Sequence, residues 1–373
     1  MSDYNKMRSW AEISFSALEH NINEIRRLIS PDCKILVPVK ADAYGHGAVE
    51  VSKKLEQLGV DMLGVACLSE AVELREGGIT KPILSLGYND PEFADIIIDN
   101  SVTQTVFDLE TAEALSKAAE ARGEKITVHI KLDTGMTRIG FQWTENTKEQ
   151  SIETIKSICA LPGLRVEGLF SHFAAADGDK KYTEMQIARM KDAIETLKND
   201  GVNFDICHCA ASSGTLYFPQ AHFDMVRPGL AIYGYAPDSI EKGMRPIMTL
   251  KSRIAAIRKV QKGTCVSYGC TATLERDSVL ASVMFGYADG FDRELSNRYK
   301  VVINGHRCPV VGRICMDMCM VDVTDYPDIK RGDEVIIYGE EGLIIEQSKM
   351  INSIPNELLT RIAKRVVRVY KED

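Results

Sequence analysis

A lysine that closes an apolar run and opens a glycine-rich turn is suited to nucleophilic chemistry on a carbonyl. Lys40 has that setting, within Val37-Pro38-Val39-Lys40-Ala41-Asp42-Ala43-Tyr44-Gly45-His46-Gly47. Held at an apolar mouth, its amine would be poorly solvated, with a lowered pKa and an available lone pair. Lysines at strand ends are more often surface cations, and spacing alone leaves both readings open. Arg227, followed by Pro228 and Gly229, puts a cation beside a glycine that lets backbone approach an anion. Taken alone it reads as a clamp for phosphate or carboxylate. His172 beside Phe173 reads, by itself, as a packing residue. A zinc hydrolase built on His172, His208 and the ten cysteines is poorly supported. No ligand pair falls at helical i,i+4 spacing in a convincing helix, and no pair of Cys-x-x-Cys knuckles is present.

The elements that must position these side chains come in two textures. Between about residues 30 and 235 short apolar runs alternate with amphipathic ones. Eight strands are expected: 35–39, 62–66, 83–86, 102–107, 126–132, 164–170, 204–209 and 225–233. Helical patterns lie between them, as at 109–121, 144–160 and 181–199. Eight β-then-α units of similar length fit a (β/α)8 TIM barrel better than a doubly wound sheet. In such a barrel, the C-terminal ends of the strands, where Lys40 falls, form the active face. After about residue 240 the runs 249–260, 278–285, 300–303, 308–323 and 334–338 are β-rich and separated by turn signals, and 344–364 reads as helix. The expected α/β architecture is therefore a barrel over 10–240 followed by a mainly antiparallel β domain over 241–373. The first strand, 10–15, is a candidate member of the second domain.

Composition narrows the function class. The chain has 373 residues, 45 basic and 53 acidic side chains, and a formal charge of −8, which argues against a nucleic-acid partner. No apolar stretch reaches the roughly 18–20 residues of a membrane span, and the N-terminus lacks a signal-peptide pattern. The expectation is a cytoplasmic enzyme acting on a small molecule. The ten cysteines read as reduced, mostly buried thiols in a reducing compartment, with no metal site.

The segment around Lys40 resembles the pyridoxal-phosphate lysine motif of alanine racemases, which are fold-type III pyridoxal enzymes. The similarity continues in order along the chain. It takes in the segments 133–140 (Asp133 to Gly140), 171–174, 208–212, 226–229, 266–269, 286–290 and 312–317. The resemblance implies the cofactor pyridoxal 5'-phosphate, joined to Lys40 as a Schiff base. Lys40 would also exchange the substrate α-proton on one face, and Tyr268 would serve the other. Two bases on opposite faces are what racemisation requires. The family places this tyrosine in the partner subunit's site, so a homodimer is implied. Arg227 would lie against the pyridine nitrogen and, being reluctant to give up a proton, would keep that nitrogen largely unprotonated. His172 would bridge Arg227 and Tyr268. Tyr44, Ser212 and the amides of Gly229 and Leu230 would hold the phosphate. Arg138 and the backbone of Met316 would hold the substrate carboxylate. Asp177, Arg293 and Arg313 match residues of the entry channel. Lys131 matches a lysine that is carbamylated in some members.

One position departs from the pattern. These racemases carry a second tyrosine, crowding the substrate side chain, where this sequence has Asn356. Asparagine there resembles the racemase domain of vancomycin-resistance serine racemases, and an amide could accept a serine hydroxyl. The competing reading makes Asn356 a helix N-cap with Glu357 in the first turn. Those serine racemases are usually fused to a membrane domain, so the chain is expected to be either a free-standing relative or the cytoplasmic catalytic part of a membrane-anchored parent. The expected activity is interconversion of L- and D-serine, L- and D-alanine, or both, supplying peptidoglycan precursors. A strict alanine racemase is the alternative. A fold-type III decarboxylase fits less well, because its acidic partner for the ring nitrogen is missing. A non-catalytic cofactor carrier would lack the β domain.

Overall fold

The computed structural model describes residues 7–236, 242–339 and 343–372. The chain forms two compact units. One comprises the N-terminal residues through Leu18, residues 44–46 and the chain from Arg245 onward; the other comprises residues 19–43 and 47–244. The boundary expected at residues 240 and 241 lies outside the described residues.

The second of these units is a nearly closed eight-stranded parallel barrel. Its strands run in the order Met225–Val226, Lys34–Pro38, Met62–Val65, Ile83–Ser85, Val102–Val106, Ile126–Asp133, Leu164–Phe170 and Ile206–His208. The ring closes between its first and last members through Asp224 and Arg227. The N–H of Asp224 donates to the Cys207 carbonyl (3.0 Å) and that of Arg227 to the Ala210 carbonyl (2.8 Å). The Asp224 carboxylate also accepts from the Cys207 N–H at 2.7 Å. Leu36, Met62, Leu84, Ile206 and Met225 form an apolar layer inside. Farther along the strands the buried side chains include His129, Lys131, His208 and Arg227. Solvent water is excluded at that level, so these polar groups must satisfy one another. The outer helices start where acidic caps predict: Asp108 accepts from the Thr111 N–H (2.7 Å) and Asp179 from the Tyr182 N–H (3.0 Å).

The eighth strand is shorter than its apolar run suggests. Strand geometry covers only Met225–Val226, and Gly229–Ile232 is a helical turn. Pro228 cannot donate to a ladder, and it ends the strand.

The other unit is a mainly antiparallel sheet. Its order is His306–Pro309, Lys300–Ile303, Glu334–Tyr338, Met248–Val260, Ser9–Ser14 and Val367–Lys371, with Ser278–Val283 and Cys319–Asp322 continuing from Met248–Val260. The N-terminal strand pairs antiparallel with Met248–Val260 and parallel with Val367–Lys371. The run 308–323, expected as one strand, is two, joined by a loop that contains Gly312 at φ 76°. The helix expected over 344–364 is also two pieces, Leu343–Met350 and Pro355–Thr360, broken at Asn352 (φ 53°) and ahead of Pro355.

Candidate active site

Lys40 directly follows the strand Lys34–Pro38 and Val39, whose N–H reaches the Gly64 carbonyl of the next strand (2.8 Å). The chain then winds the wrong way. Ala41, Asp42, Ala43 and Tyr44 all have φ between 51° and 56°. This is a left-handed helical turn of four L-residues, a conformation that costs each about 1–2 kcal/mol. The surroundings hold it in place. The Ala43 N–H donates to the Val39 carbonyl (2.8 Å) and the Gly47 N–H to the Asp42 carbonyl (3.0 Å). The Glu70 carboxylate accepts from the Ala41 and Ala66 N–H groups, both at 2.7 Å. Strain maintained in this way is a mark of functional segments.

Around Lys40, the barrel unit gathers cations. Burial lowers the Lys40 pKa, and the charges of Arg138 and Arg227 lower it further against the pull of Glu70. Lys131 is buried, donates to the Leu132 carbonyl at 2.7 Å, and lies 5.3 Å from the Phe170 ring centre. Burial, with Arg227 nearby, pushes its pKa down to about 7. Arg227 is 4% exposed and held from several sides. It donates to His208 Nδ1 (2.7 Å) and to the carbonyls of Ser171 (2.8 Å) and Cys209 (3.1 Å), and contacts His172 Nδ1 at 3.3 Å. Burial lowers its pKa to about 10, which still leaves it cationic at neutral pH. Burial and four neighbouring cations, led by Arg227, hold His172 neutral. The two imidazoles once weighed as zinc ligands thus both face a guanidinium.

Arg138 sits on an exposed loop shaped by Asp133, whose carboxylate accepts from the N–H groups of Gly135 (2.9 Å) and Thr137 (3.0 Å). Asp177 is exposed after the strand Leu164–Phe170. Ser212 opens the helix Ser212–Tyr217, and its hydroxyl accepts from the Ala231 N–H at 3.0 Å. The short helix that begins at Gly229 offers first-turn N–H groups that have no partner inside the helix.

The β unit carries the remaining candidates. Tyr268 is 69% exposed at the tip of a small hairpin, Cys265–Val266 against Ala272–Thr273. Ser267 (φ 64°), Gly269 (φ 72°) and Cys270 (φ 46°) give the tip its shape. The Ser267 hydroxyl donates to the Arg313 carbonyl (2.6 Å), and the Arg313 guanidinium covers Gly269, where a Cβ would lie 3.2 Å from it. Met316 is exposed, and its carbonyl accepts from the Ala288 N–H at 3.0 Å. The hairpin tip of Tyr268 and Arg313 are therefore brought together, and Met316 follows three residues on along the same loop. Arg293 is exposed in a short turn whose neighbour Asp292 binds Arg361 at 2.8 Å, next to the helix bearing Asn356. Segment 44–46 packs on that same helix. Gly45, at φ 79°, lies so close that a Cβ would be 2.2 Å from the Leu359 carbonyl oxygen. Burial raises the Tyr44 pKa to about 12.

Asn356 is not a helix cap. The cap position of Pro355–Thr360 is Ile354, with Pro355 as first residue, and Asn356 follows it, half-buried. Pro355 opens the helix two residues earlier than an Asn356 cap would, which puts the asparagine inside the first turn.

The profile described as alanine racemase, N-terminal domain, matches residues 13–237, and that of the C-terminal domain matches 247–370. The chain belongs to the alanine racemase family. It is 44% identical to an alanine racemase of Desulforamulus reducens over 97% of this chain and 98% of the relative. Identity to an alanine racemase of Methanococcus maripaludis is 42%, with 97% and 98% covered. Among solved structures, alanine racemase from Clostridium difficile 630 superposes with a TM-score of 0.93 at 43% identity, covering 99% of this chain and 97% of the other. Family membership makes the chain an amino-acid racemase, an isomerase, and enzymes of the alanine racemase family use pyridoxal 5'-phosphate. The donor set fits that group: a desolvated amine at Lys40, a buried guanidinium at Arg227, and a hydroxyl at Ser212 near helix amides suited to a phosphate.

Sequence reasoning did not assign His129, Glu167, Phe170 or Glu70. Polar residues at every second position of an otherwise apolar barrel strand, such as His129 and Lys131 in Ile126–Asp133, are the signal that points to the first of these.

Proposed function

We propose that the chain interconverts the L- and D-forms of serine and alanine by a two-base mechanism, as a homodimer, and supplies D-amino acids for peptidoglycan precursors. The carrying observation is the buried Arg227, held through both of its terminal nitrogens, beside a lysine of lowered pKa at the barrel mouth.

Lys40 would hold the cofactor, Ser212, Tyr44 and the amides of Gly229 and Leu230 would bind its phosphate, and Arg227 would donate to its ring nitrogen. When bound, pyridoxal 5'-phosphate supplies the electron-withdrawing ring that makes the α-proton of an amino acid removable. Arg138 and the Met316 N–H bind the substrate carboxylate. Lys40 Nζ takes or returns the α-proton on one face, and the partner subunit's Tyr268 does so on the other. The exposure of Tyr268 on its own chain supports that placement. Neutral His172 helps hold the tyrosine. Because Arg227 keeps its proton, it would leave the ring nitrogen of a bound cofactor without one; the ring would then supply weaker electron withdrawal, which favours return of the proton at Cα over transamination. Asp177, Arg293 and Arg313 flank the approach.

Serine is the finer part of this reading. It rests on Asn356 in place of a bulky tyrosine, free of a capping task, and on the resemblance to vancomycin-resistance serine racemases. The names of the relatives favour a second reading, strict alanine racemisation. A chirality-resolved assay of both amino acids decides between them. Comparable kcat/KM values support serine as substrate, whereas a serine value below about one thousandth of that for alanine exceeds what a single pocket residue explains and refutes it. Asn356→Tyr is expected to shift preference toward alanine. Release of CO2 instead of racemisation would indicate a decarboxylase.

A further inference from the structure

A hydrogen-bonded chain runs inside the barrel from Arg227 toward the end opposite Lys40. Arg227 Nη1 meets His208 Nδ1 at 2.7 Å, His208 Nε2 meets His129 Nδ1 at 2.9 Å, and His129 Nε2 meets Glu167 Oε2 at 3.1 Å. The two imidazoles are fully buried. Their rings have no freedom to turn over. Phe170 stacks on His208 at 4.8 Å and 2°, and Gly168 backs His129 so tightly that a Cβ would lie 2.6 Å from its ring. Glu167 itself lines a cavity of about 410 Å³ together with Lys34, Met62, Thr127, Ile206 and Met225, residues at or near the starts of barrel strands.

The two ends of this chain fix its direction. A guanidinium only donates, so His208 Nδ1 must accept, and its proton sits on Nε2. That proton goes to His129 Nδ1, so His129 also carries its proton on Nε2. This proton needs an acceptor, and Glu167 is the carboxylate that takes it. Burial favours the neutral form of both rings, as this pattern requires.

We propose that Glu167 is a positioning residue for racemisation: from the far end of the barrel its carboxylate sets one tautomer in His129 and His208, and so holds the Arg227 guanidinium. This rests on the role given to Arg227 above. Without an acceptor at 167, His129 can place its proton on Nδ1. His208 would then be forced to present N–H against N–H at Arg227, or lose its bond to His129.

The test is ¹⁵N imidazole spectroscopy of the holoenzyme alongside racemisation kinetics, for wild type, Glu167→Gln and Glu167→Leu. Expected are Nε2–H tautomers for both histidines in wild type and in the glutamine variant, whose amide oxygen still accepts. In the leucine variant mixed tautomers are expected, with kcat down roughly tenfold, the lower end of what losing an outer partner costs at metal-bound imidazoles, and KM little changed. Should the leucine variant not fold, His129→Phe cuts the chain one link further in: it removes the acceptor of the His208 Nε2 proton, and the Nδ1–H form should become populated at the expense of the bond to Arg227. Tautomers indifferent to residue 167 overturn the proposal, as does an unchanged kcat in a variant with scrambled tautomers. A wild type that racemises neither serine nor alanine would instead sink the functional reading, while the spectra would still decide whether Glu167 orders the chain.

Discussion

Lys131 is a buried amine whose cost to the fold can be worked out and measured. Burial takes its pKa from 10.5 to about 7. A shift of that size corresponds to about 5 kcal/mol, which the folded protein spends either on a buried charge or on a proton given up. Replacement by methionine, similar in length and uncharged, removes that cost and forfeits the bond to the Leu132 carbonyl, worth about 2 kcal/mol from a charged amine. At pH 6 Lys131→Met should therefore be more stable by about 3 kcal/mol. The folded pKa lies below the unfolded one, so between pH 7 and 10.5 the unfolded chain holds the extra proton, and wild-type stability rises with pH across that window. The advantage of the variant should shrink by about 3 kcal/mol from pH 6 to pH 9. Urea unfolding of both proteins in CO2-free buffer at several pH values reads this directly. A gap that does not change with pH would refute the reasoning, because it would mean that Lys131 keeps the same protonation state folded and unfolded.

The same neutral amine should react with CO2. Its nitrogen forms a bond to the carbon and releases a proton, giving a carbamate, and ¹³C-labelled bicarbonate should produce a carbamate resonance that rises through about pH 7 and is missing in Lys131→Met. Glu70→Ala removes the acceptor of two backbone N–H groups at the left-handed turn; it should cost about 2–4 kcal/mol in urea unfolding, and Glu70→Gln less. Tyr268→Phe should lower racemisation of either enantiomer by about 10²–10⁴-fold without changing cofactor absorbance, and retention of full activity would remove Tyr268 from the chemistry.

The barrel was legible because its strands are buried on both faces and read as separate apolar runs between helical patterns. The β unit was legible only in outline. The run 308–323 is apolar enough for one strand, yet Gly312 and the loop that carries Arg313 and Met316 interrupt it, and apolarity alone does not report a loop packed as closely as a strand. The site was legible as motifs and not as geometry. Lys40 and Arg227 stand out by type and setting, while Glu167 looks like any strand glutamate, and only the strand register brings it to His129. The cap reading of Asn356 falls two positions past the actual cap, Ile354, because Pro355 is as good a helix opener as asparagine is a cap.

The turn after Lys40 sets where a side chain points through its hand. Residues on a helix advance by about 100° each, so from Ala41 to Tyr44 the direction changes by about 300°, and winding left instead of right moves the tyrosine about 120° around the axis. A right-handed turn of the same length would relax all four residues and misdirect Tyr44 by a third of a circle. Replacing Asp42 by a better right-handed helix former such as alanine would therefore favour the wrong hand. A D-alanine placed at 41 or 43 by chemical synthesis would suit the native one, since the mirror-image residue prefers the winding that this backbone already has.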